Sequence, residues 1–429
     1  MRTNRLLGIA MLLSLLTLWF LTPGVGMASG DGDTTTEDEY ILFAPLGREE
    51  AYLIDRSGEV VHRWALSGQP GNSVYLLEGG DLLATYTVDG SFHGGGIGGG
   101  VERLTWDGEP VWSFELATET AHLHHDVEML ANGNVLMIAW EAKSRREARA
   151  AGLSPDQLPP SGVVWSEMIL EYSPSLDRVV WEWRLWDHAL PAGWDAEAHP
   201  GKIDLGFAAN RNSSDWWHLN AVDYHEPLDQ IVVSSRAASE IWILDHSLTT
   251  AEAAGGAGDL LYRFGNPAAY GSFGSQVLYG QHNACWIEAC LDPAGASSFG
   301  TPRSNRILLF DNGDKHARPT SRVVELDLPD YENGLFEDAS IIWQYPPMGS
   351  GTTAAFFADH ISGAQRLENG NTLLCIGTEG RFLEVTPEGT IVWEYVNPFT
   401  GIGPGGKPSN EVFRAEAYTA DYIGRDSRL

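Results

Sequence analysis

The sequence predicts an all-β fold, a six-bladed β-propeller with its site at the central channel. A two-strand unit recurs about six times along the 429 residues, at spacings typical of one blade per repeat. The 48 glycines and 22 prolines provide many turns, and the 16 tryptophans suit packing between blades. Radial repetition also lets one domain exceed the usual size of a single core.

The first strand of each unit is expected to line the channel. One copy begins at Ser73, and four others begin on histidines, at His124, His218, His282 and His360. The partner strands end in aromatic and apolar residues and begin at Tyr52, Leu104, Leu170, Ile243, Val324 and Leu383. We expect the strand 40–44 to close the ring against the last blade. A charged, alanine-rich stretch, 141–153, is interpreted as a loop between blades.

The N-terminus has the pattern of a secretory signal. Arg2 and Arg5 precede an apolar run over 6–21, and small residues surround Ala28. The predicted organisation is a signal peptide 1–28, an acidic disordered spacer 29–39, the propeller 40–424 and a tail 425–429. We therefore expect an exported protein, periplasmic or extracellular. If the segment is not cleaved, its apolar run is long enough to anchor the protein in a membrane.

The charge excludes one class of partner. The chain has 27 Lys and Arg against 58 Asp and Glu, a net charge of −31, and nucleic-acid binding requires a basic surface. Cys285 and Cys290 are predicted to form a disulfide, because an exported protein meets oxidising conditions. Cys375 lies in an apolar run and is interpreted as a buried thiol. No cysteine and histidine spacing indicates structural zinc.

The histidines that open inner strands form the candidate site. They should lie near one mouth of the channel, and they are His125, His218, His282 and His360. Asn220 and Asn283 are close to them in sequence, and Arg318 and Arg322 follow the strand that ends at Asp311. An arginine beside neutral imidazoles suits a tetrahedral oxyanion, because guanidinium offers planar, bidentate donors. The alternative for each residue is structural, as a cap of the channel or a surface ion pair.

Two nearby segments are interpreted as non-functional. His122 and His124 are placed on the approach to a blade rather than in the site. The glycine cluster HGGGIGGG from His93 is read as a flexible connector, because no Lys-Ser/Thr ending or helix follows it as in a phosphate-binding loop.

Several motifs together resemble the bacterial arylsulfate sulfotransferase family. They span about Tyr40 to Tyr422 and read DWWHLNAVDY, IVVSSR, YGQHNA, LLFDNG, SRVVELD, HISGAQRLENGNTL and GRFLEVTPEGTIVWEYVNPF. The resemblance implies transfer of a sulfuryl group from an aryl sulfate ester to a phenolic acceptor. It further implies a ping-pong mechanism through a sulfohistidine, with no nucleotide sulfate donor and no cofactor.

The resemblance also implies roles for individual residues. His360 in HISGAQRL would be the nucleophile, and His218 and His282 would hold the sulfuryl oxygens and assist proton transfer. Arg322 is favoured over Arg318 as the sulfate-binding arginine. The residues expected to contact the substrate are Asn220, Asn283 and His125.

Three other functions are compatible with a propeller of this kind. A non-catalytic propeller would hold a ligand or partner in the channel without a nucleophile. A quinone-dependent dehydrogenase also has tryptophan-rich blades, but the sequence lacks its adjacent cysteine pair and usual eight repeats. Several imidazoles near one axis could also bind zinc or copper.

Overall fold

The computed structural model describes residues 39–90, 92, 94–287, 305–331, 337–349, 356–403 and 406–424. Six four-stranded antiparallel sheets are arranged as blades, so the predicted six-bladed all-β propeller is confirmed. The predicted signal peptide, the tail and the spacer up to residue 38 lie outside the described residues. The first strand begins at Glu39, one residue before the predicted boundary.

The strands of each blade are given from the channel outwards. Blade 1 contains Val412–Thr419, Glu39–Pro45, Glu50–Ile54 and Val60–Ala65. Blade 2 contains Pro70–Leu76, Leu82–Thr87, Gly99–Leu104 and Pro110–Glu115. Blade 3 contains Ala121–Met129, Val135–Lys143, Val164–Ser173 and Arg178–Arg184.

The other three blades have the same order. Blade 4 contains Leu219–His225, Gln230–Ser235, Glu240–Asp245 and Tyr262–Phe264. Blade 5 contains His282–Trp286, Arg306–Asp311, Arg322–Asp327 and Ser340–Tyr345. Blade 6 contains Gly363–Arg366, Thr372–Ile376, Arg381–Val385 and Ile391–Val396.

Short sheets, helices and turns lie in the loops that connect the blade strands, and one helix follows the last strand. Two small sheets pair Ala189–Leu190 with Ile203–Asp204 and Gly401–Ile402 with Pro408–Ser409. The α-helices are Arg145–Ala150, Leu205–Ala208, Thr250–Ala253 and Ala420–Ile423. The 3-10 turns are Leu185–His188, Glu226–Leu228, Gly256–Gly258, Pro267–Tyr270 and Gly377–Glu379. Among the described residues, no helix has the length and apolarity needed to cross a bilayer.

The helix at Arg145–Ala150 corrects an expectation. It begins after Ser144, which forms a capping box with Glu147. The segment connects the second and third strands of blade 3, so it lies within a blade and not between two blades.

Burial follows the position of a strand in its blade. Second strands such as Thr372–Ile376 are buried throughout and have continuous apolar sequences, because both faces pack against neighbouring blades. Outermost strands such as Pro110–Glu115 alternate between exposed and half-buried residues. Between blades 3 and 4 the core contains the fully buried Trp183, Trp217 and Trp242. This is the blade packing that the tryptophan content predicts.

The two ends of the described propeller close the ring. The strand Val412–Thr419 pairs antiparallel with Glu39–Pro45, with Tyr418 opposite Tyr40. The sequence predicts closure against the last blade, whereas the C-terminal strand instead becomes the inner strand of blade 1. Inner strands of neighbouring blades contact one another around the whole ring.

Deleting residues 408–429 is expected to prevent cooperative folding. The deletion removes the inner strand of blade 1 and leaves the edge of Glu39–Pro45 unpaired beside an open channel. Thermal unfolding followed by circular dichroism should show no sharp transition, whereas deletion of 425–429 alone should leave the transition unchanged. A sharp transition in the longer deletion would show that ring closure is dispensable.

Candidate functional site

Left-handed residues mark the start of the inner strands at one end of the channel. A positive φ in a residue other than glycine is uncommon, and clusters of such residues are typical of functional sites. The residues concerned are Asn72 (φ 115°), His125 (53°), His218 (52°), Asn283 (51°), Ile361 (46°) and Ser362 (84°). In blades 2 to 5 the strand ladder is also interrupted near these positions. We call this end of the channel the histidine mouth.

Three imidazoles meet at the histidine mouth. The rings of His125 and His218 have centroids 4.6 Å apart in an edge-to-face arrangement. Phe413, from the C-terminal strand, lies with its ring centroid 6.0 Å from that of His125 and 6.4 Å from that of His282. Phe413 is fully buried. The structure therefore brings His125, His218 and His282 together above a phenylalanine.

His218 is oriented by a carboxylate. Its Nδ1 lies 2.5 Å from Oδ2 of Asp215, three residues earlier. Burial raises the pKa of Asp215, but the charge of His218 and its hydrogen bond more than offset this, and the pKa of Asp215 is lowered. The carboxylate thereby fixes the orientation of the His218 ring.

His282 is held as a neutral imidazole with a defined tautomer. Its Nδ1 donates to Oδ1 of Asn312 at 2.8 Å, and Asn312 Nδ2 donates to the carbonyls of Ala358 and Ile361, both at 2.9 Å. These donations fix the amide, so His282 Nε2 carries the lone pair, which accepts from Ile361 N at 3.2 Å. Burial, and then the charge of Arg236, lower the pKa of His282 well below its usual range.

The arginine at the histidine mouth is Arg236. It follows the second strand of blade 4 and donates to the backbone carbonyl of Asp359 at 3.2 Å. Burial and the neighbouring histidines lower the pKa of His125 most, and the charge of Arg236 lowers it further. Arg236 thus lies near enough to influence both His125 and His282. The sequence places Arg236 at the end of the strand pair that begins at His218, but the motif IVVSSR does not distinguish a site arginine from a surface ion-pair partner.

Arg318 and Arg322, the two arginines predicted for the site, lie in blade 5. Both pair with the buried Asp311, at 2.5 and 2.9 Å. Arg318 also stacks over Tyr279, and Arg322 donates to the carbonyl of Val277. One carboxylate can balance only one of the two guanidinium charges, so the group keeps a net positive charge. The expectation that one of them binds a sulfuryl group stays a prediction.

His360 lies at the rim of the site. Its side chain is 45% exposed, Nδ1 is 2.7 Å from Asp359 Oδ1, and Nε2 is 3.9 Å from Glu411 Oε1. Asp359 also pairs with Lys315 at 2.6 Å. Lys315 and then His360 lower the pKa of Asp359 to about 2. His360 therefore lies between two carboxylates, one of which is paired with Lys315.

The two candidate asparagines join neighbouring blades. Asn220 Nδ2 donates to the carbonyl of Gln281 at 2.9 Å, and its Oδ1 has no hydrogen-bond partner among the described residues. Asn283 Oδ1 accepts from Ala364 N at 2.7 Å. Both side chains thus hold inner strands in register, close to the histidines.

His124 belongs to the site rather than to its approach. Its ring is buried and stacks on Trp140, with centroids 4.0 Å apart. Its Nε2 lies 2.9 Å from Glu167 Oε2, and its Nδ1 lies 2.7 Å from Nδ1 of His125. His122 is buried as well. The sequence pattern does not reveal the hydrogen-bonded series from His125 through His124 to Glu167, because Glu167 lies 43 positions from His124 in the sequence.

The glycine-rich segment covers the histidines. A methyl group at Gly96 would overlap the imidazole of His125, and one at Gly95 would lie 3.7 Å from Cε1 of His218. Gly96 has a φ of 77°. Next to this segment, Phe92 packs edge-to-face on Trp140. The glycines are thus required for close packing, which corrects their interpretation as a flexible connector; His93 lies outside the described residues.

Below Phe413 the channel is strongly acidic. Arg414 stacks on Phe413 and bonds to the hydroxyl of Tyr75 and to Asp126 Oδ2. Farther down, a cavity of about 450 Å³ is lined by Asp223, Glu128 and Glu416 among others. Burial raises the pKa values of Asp223 and Glu416 to about 7. In the described part of the chain, no cluster of three or more His, Cys, Asp or Glu side chains could hold a metal ion.

Cys285 lies on the inner strand of blade 5. Its Sγ is 3.7 Å from the carbonyl oxygen of Leu308, and burial raises its thiol pKa well above the usual range. Cys290 is outside the described residues, so the disulfide between them stays a prediction.

The fold is a six-bladed β-propeller with three imidazoles and one arginine gathered at one end of its channel. The family model for arylsulfotransferase (ASST) matches residues 31–397. The chain therefore belongs to the arylsulfotransferase family and is a sulfotransferase, which confirms the resemblance seen in its motifs.

Curated proteins and solved structures provide two further comparisons. A search of curated proteins found no match. Among solved structures, a Bacteroides caccae protein of unknown function is 14% identical, covers 89% of this chain and 98% of its own, and has a TM-score of 0.48. A periplasmic gluconolactonase from Pseudomonas aeruginosa is 11% identical, covers 87% of this chain and 89% of its own, and has a TM-score of 0.43.

Proposed function

We propose that the protein moves a sulfuryl group from an aryl sulfate ester to a phenolic acceptor by a ping-pong mechanism through a sulfohistidine. The observation that carries this proposal is the buried imidazole of His282, whose Nδ1 donates to Asn312 and whose Nε2 keeps a lone pair in the histidine mouth; the charge of Arg236 acts on the same ring and lowers its pKa. A nucleophile needs a lone pair, and an anionic donor needs a nearby positive charge. No nucleotide donor or cofactor enters the scheme.

His282 is our choice of nucleophile, in place of His360. Burial and then the charge of Arg236 lower the pKa of His282 well below its usual range, and the hydrogen bond to Asn312 only partly offsets this, so Nε2 keeps its lone pair. His218 and His360 pair instead with the carboxylates of Asp215 and Asp359. The backbone N–H of Ile361 must release Nε2 before attack. This β-branched residue is held at a φ of 46°, which is energetically unfavourable and favours such a movement.

The other groups would stabilise the transferring group. Arg236 and the imidazole of His218 would hold the sulfuryl oxygens as charge develops on them. The aryl ring would pack against Phe92, which is only partly buried beside the glycine-rich segment. Asn220 and Asn283 would maintain the spacing of the inner strands that carry the histidines.

The direct test is incubation with 4-nitrophenyl sulfate, with and without a second phenol. Coloured phenol should be released much faster with the acceptor, and the sulfated acceptor should be formed in equal amount. Initial rates should show the parallel-line pattern of a ping-pong mechanism. Tight binding of aryl sulfates without turnover would instead support a ligand-binding propeller.

We also propose that the chain is exported and acts in the periplasm or outside the cell. The basic residues, apolar run and small residues before position 29 support this. N-terminal mass analysis of the mature protein should show cleavage near Ala28, and an intact N-terminus in the membrane fraction would indicate an anchor instead.

Arg236→Ala is expected to lower kcat/KM for the aryl sulfate by about 10² to 10³, because one donor to the developing anion is lost. Arg322→Ala is the matched control, since Arg318 still pairs with Asp311 in that variant. The control should lose stability but keep most of its activity. Steady-state kinetics and thermal unfolding measure the two effects. Equal losses of activity in both variants would contradict the assignment of Arg236.

A further inference from the structure

The proposed ping-pong reaction requires a place to store a proton. In the first half, the phenolate that leaves sulfur needs a proton; in the second half, the acceptor phenol must lose one. His282 cannot carry this proton between the two halves, because its Nε2 then holds the sulfuryl group. The following inference rests on the proposed function and concerns that proton.

A buried chain of three groups leads away from the reacting centre. Glu167 Oε2 lies 2.9 Å from His124 Nε2, and His124 Nδ1 lies 2.7 Å from His125 Nδ1. The side chains of His124 and Glu167 are completely buried. No hydrogen bond from the described residues engages the remaining nitrogen, His125 Nε2, which lies beside Gly96 in the histidine mouth. The chain therefore has one end in the site and the other on a carboxyl group.

Each link of the chain is held in place. His124 stacks on Trp140 with an angle of 15° between the rings. The second oxygen of Glu167 accepts from the backbone N–H of Leu219 at 3.1 Å, directly after His218. Glu167 is thereby fixed between blades 3 and 4, with only one oxygen directed at His124.

We propose that Glu167 is the proton store of the reaction, connected to the substrate through His124 and His125. In the loaded form, the Glu167 carboxylic acid donates to His124 Nε2, His124 Nδ1–H donates to His125 Nδ1, and His125 Nε2 carries a proton. All three groups are neutral. In the unloaded form, Glu167 is a carboxylate, His124 is protonated on Nε2, and His125 is protonated on Nδ1 with its lone pair on Nε2.

The loaded and unloaded forms differ by one proton, and together they account for both half-reactions of the ping-pong mechanism. In the first half, the N–S bond to His282 forms, the S–O bond breaks, and the leaving oxygen takes the proton from His125 Nε2. Protons then shift along the chain from Glu167, leaving it as a carboxylate. In the second half, the acceptor oxygen attacks sulfur and the N–S electron pair returns to His282. The acceptor proton goes to His125 Nε2, and the reverse shifts restore the acid on Glu167.

The electrostatics of the chain favour neutral imidazoles and a protonated acid. Burial, and then the negative charge of Asp215, raise the pKa of Glu167 well above its usual range. Burial also lowers the pKa of His124 to about 3. For His125, burial and the neighbouring His218 lower the pKa well below its usual range. An extra proton is thus more stable on the carboxyl group than on either ring.

The kinetic test compares Glu167→Gln with Glu171→Gln. Glutamine preserves size and hydrogen bonding but cannot store a proton, and Glu171 lies on the same strand, where it bonds to Asn134 and His246 instead. Glu167→Gln should lower the rate with phenyl sulfate by about 10²-fold, as for loss of a general acid. With 4-nitrophenyl sulfate, whose leaving group scarcely needs a proton, the loss should be below about 10-fold. Glu171→Gln should affect both donors equally and slightly.

A second variant tests the middle of the chain. His124→Gln breaks the proton path while retaining a polar side chain, so it should reproduce the selective loss with phenyl sulfate. The double variant should be no slower than either single variant, because both changes interrupt one path. Equal losses with both donors, or additive losses in the double variant, would overturn the proton store in favour of a purely structural role.

Infrared spectroscopy tests the store without any turnover. At neutral pH, Asp223 and Glu416 also contribute protonated carboxyl absorption in every variant, so spectra are compared as differences. The wild-type spectrum minus that of Glu167→Gln should show the C=O band of one protonated carboxyl group, and the wild-type spectrum minus that of Glu171→Gln should not. If the band is present but no aryl sulfate is turned over, the proposed reaction fails while the protonated Glu167 stands. If turnover occurs and the wild-type and Glu167→Gln spectra are identical in this region, the proton store is overturned and the reaction stands.

Discussion

His282→Ala is expected to abolish phenol release and sulfuryl transfer together, lowering kcat by about 10⁴-fold or more, as for loss of a covalent nucleophile. His218→Ala should retain measurable activity, because loss of one donor to the transition state costs about 10² to 10³. Stopped-flow and steady-state assays with 4-nitrophenyl sulfate measure both losses. His360→Ala is the matched control, since this ring is half exposed at the rim.

Trapping the intermediate identifies the nucleophile directly. Protein quenched during turnover at neutral or basic pH should carry a sulfuryl adduct on the peptide that contains His282. An adduct on the peptide with His360, together with an inactive His360→Ala variant, would restore the role that the HISGAQRL motif implies for that residue. Absence of any adduct in an active enzyme would exclude covalent transfer.

Arg414→Met is expected to cause the largest loss of stability, about 3 to 5 kcal/mol at pH 8, as for removal of one partner from a buried ion pair. The change leaves Asp126 without its cation, close to Glu128, Asp223 and Glu416. Chemical denaturation measures the free energy of unfolding. Arg366→Met is the control: it also removes a buried cation, but Arg306 still pairs with Glu325.

The loss of stability in Arg414→Met should become smaller at acidic pH. Folding raises the pKa values of Asp223 and Glu416 to about 7, so the folded state binds more protons than the unfolded state between about pH 4 and 7. The contribution of Asp223 and Glu416 to the free energy of unfolding is therefore favourable at low pH and is lost as the pH rises through 7. Protonated carboxyl groups need no cation, so the variant should approach the wild type at pH 5. A loss independent of pH would contradict this electrostatic explanation.

The fold was predictable because its repeat is local. Each inner strand and partner strand carries its own turn and its own apolar pattern, so six copies specify six blades without knowledge of tertiary contacts. The helix at Arg145–Ala150 shows where this local reasoning stops. Its Ser144 and Glu147 cap is visible in the sequence, but whether it lies within or between blades depends on strand pairing.

The site was predictable only in part, because loops determine which side chains reach the channel. Arg236 and Arg322 both lie close to the end of a second strand, but Arg322 is held back by the buried Asp311 in the facing strand. His282 and His360 both precede a left-handed residue, yet His282 already pairs with Phe310 while the strand of blade 6 begins three residues after His360. Such offsets depend on pairing register, which short motifs do not encode.

The origin of Phe413 has a consequence for how the enzyme becomes active. The phenylalanine under the imidazoles and the arginine beneath it emerge during synthesis only after all the other blade strands. A chain that stops before Phe413 thus lacks both the inner strand that closes the ring and the aromatic ring that packs under the histidines. Premature termination before this strand should yield inert protein rather than a partly active fragment.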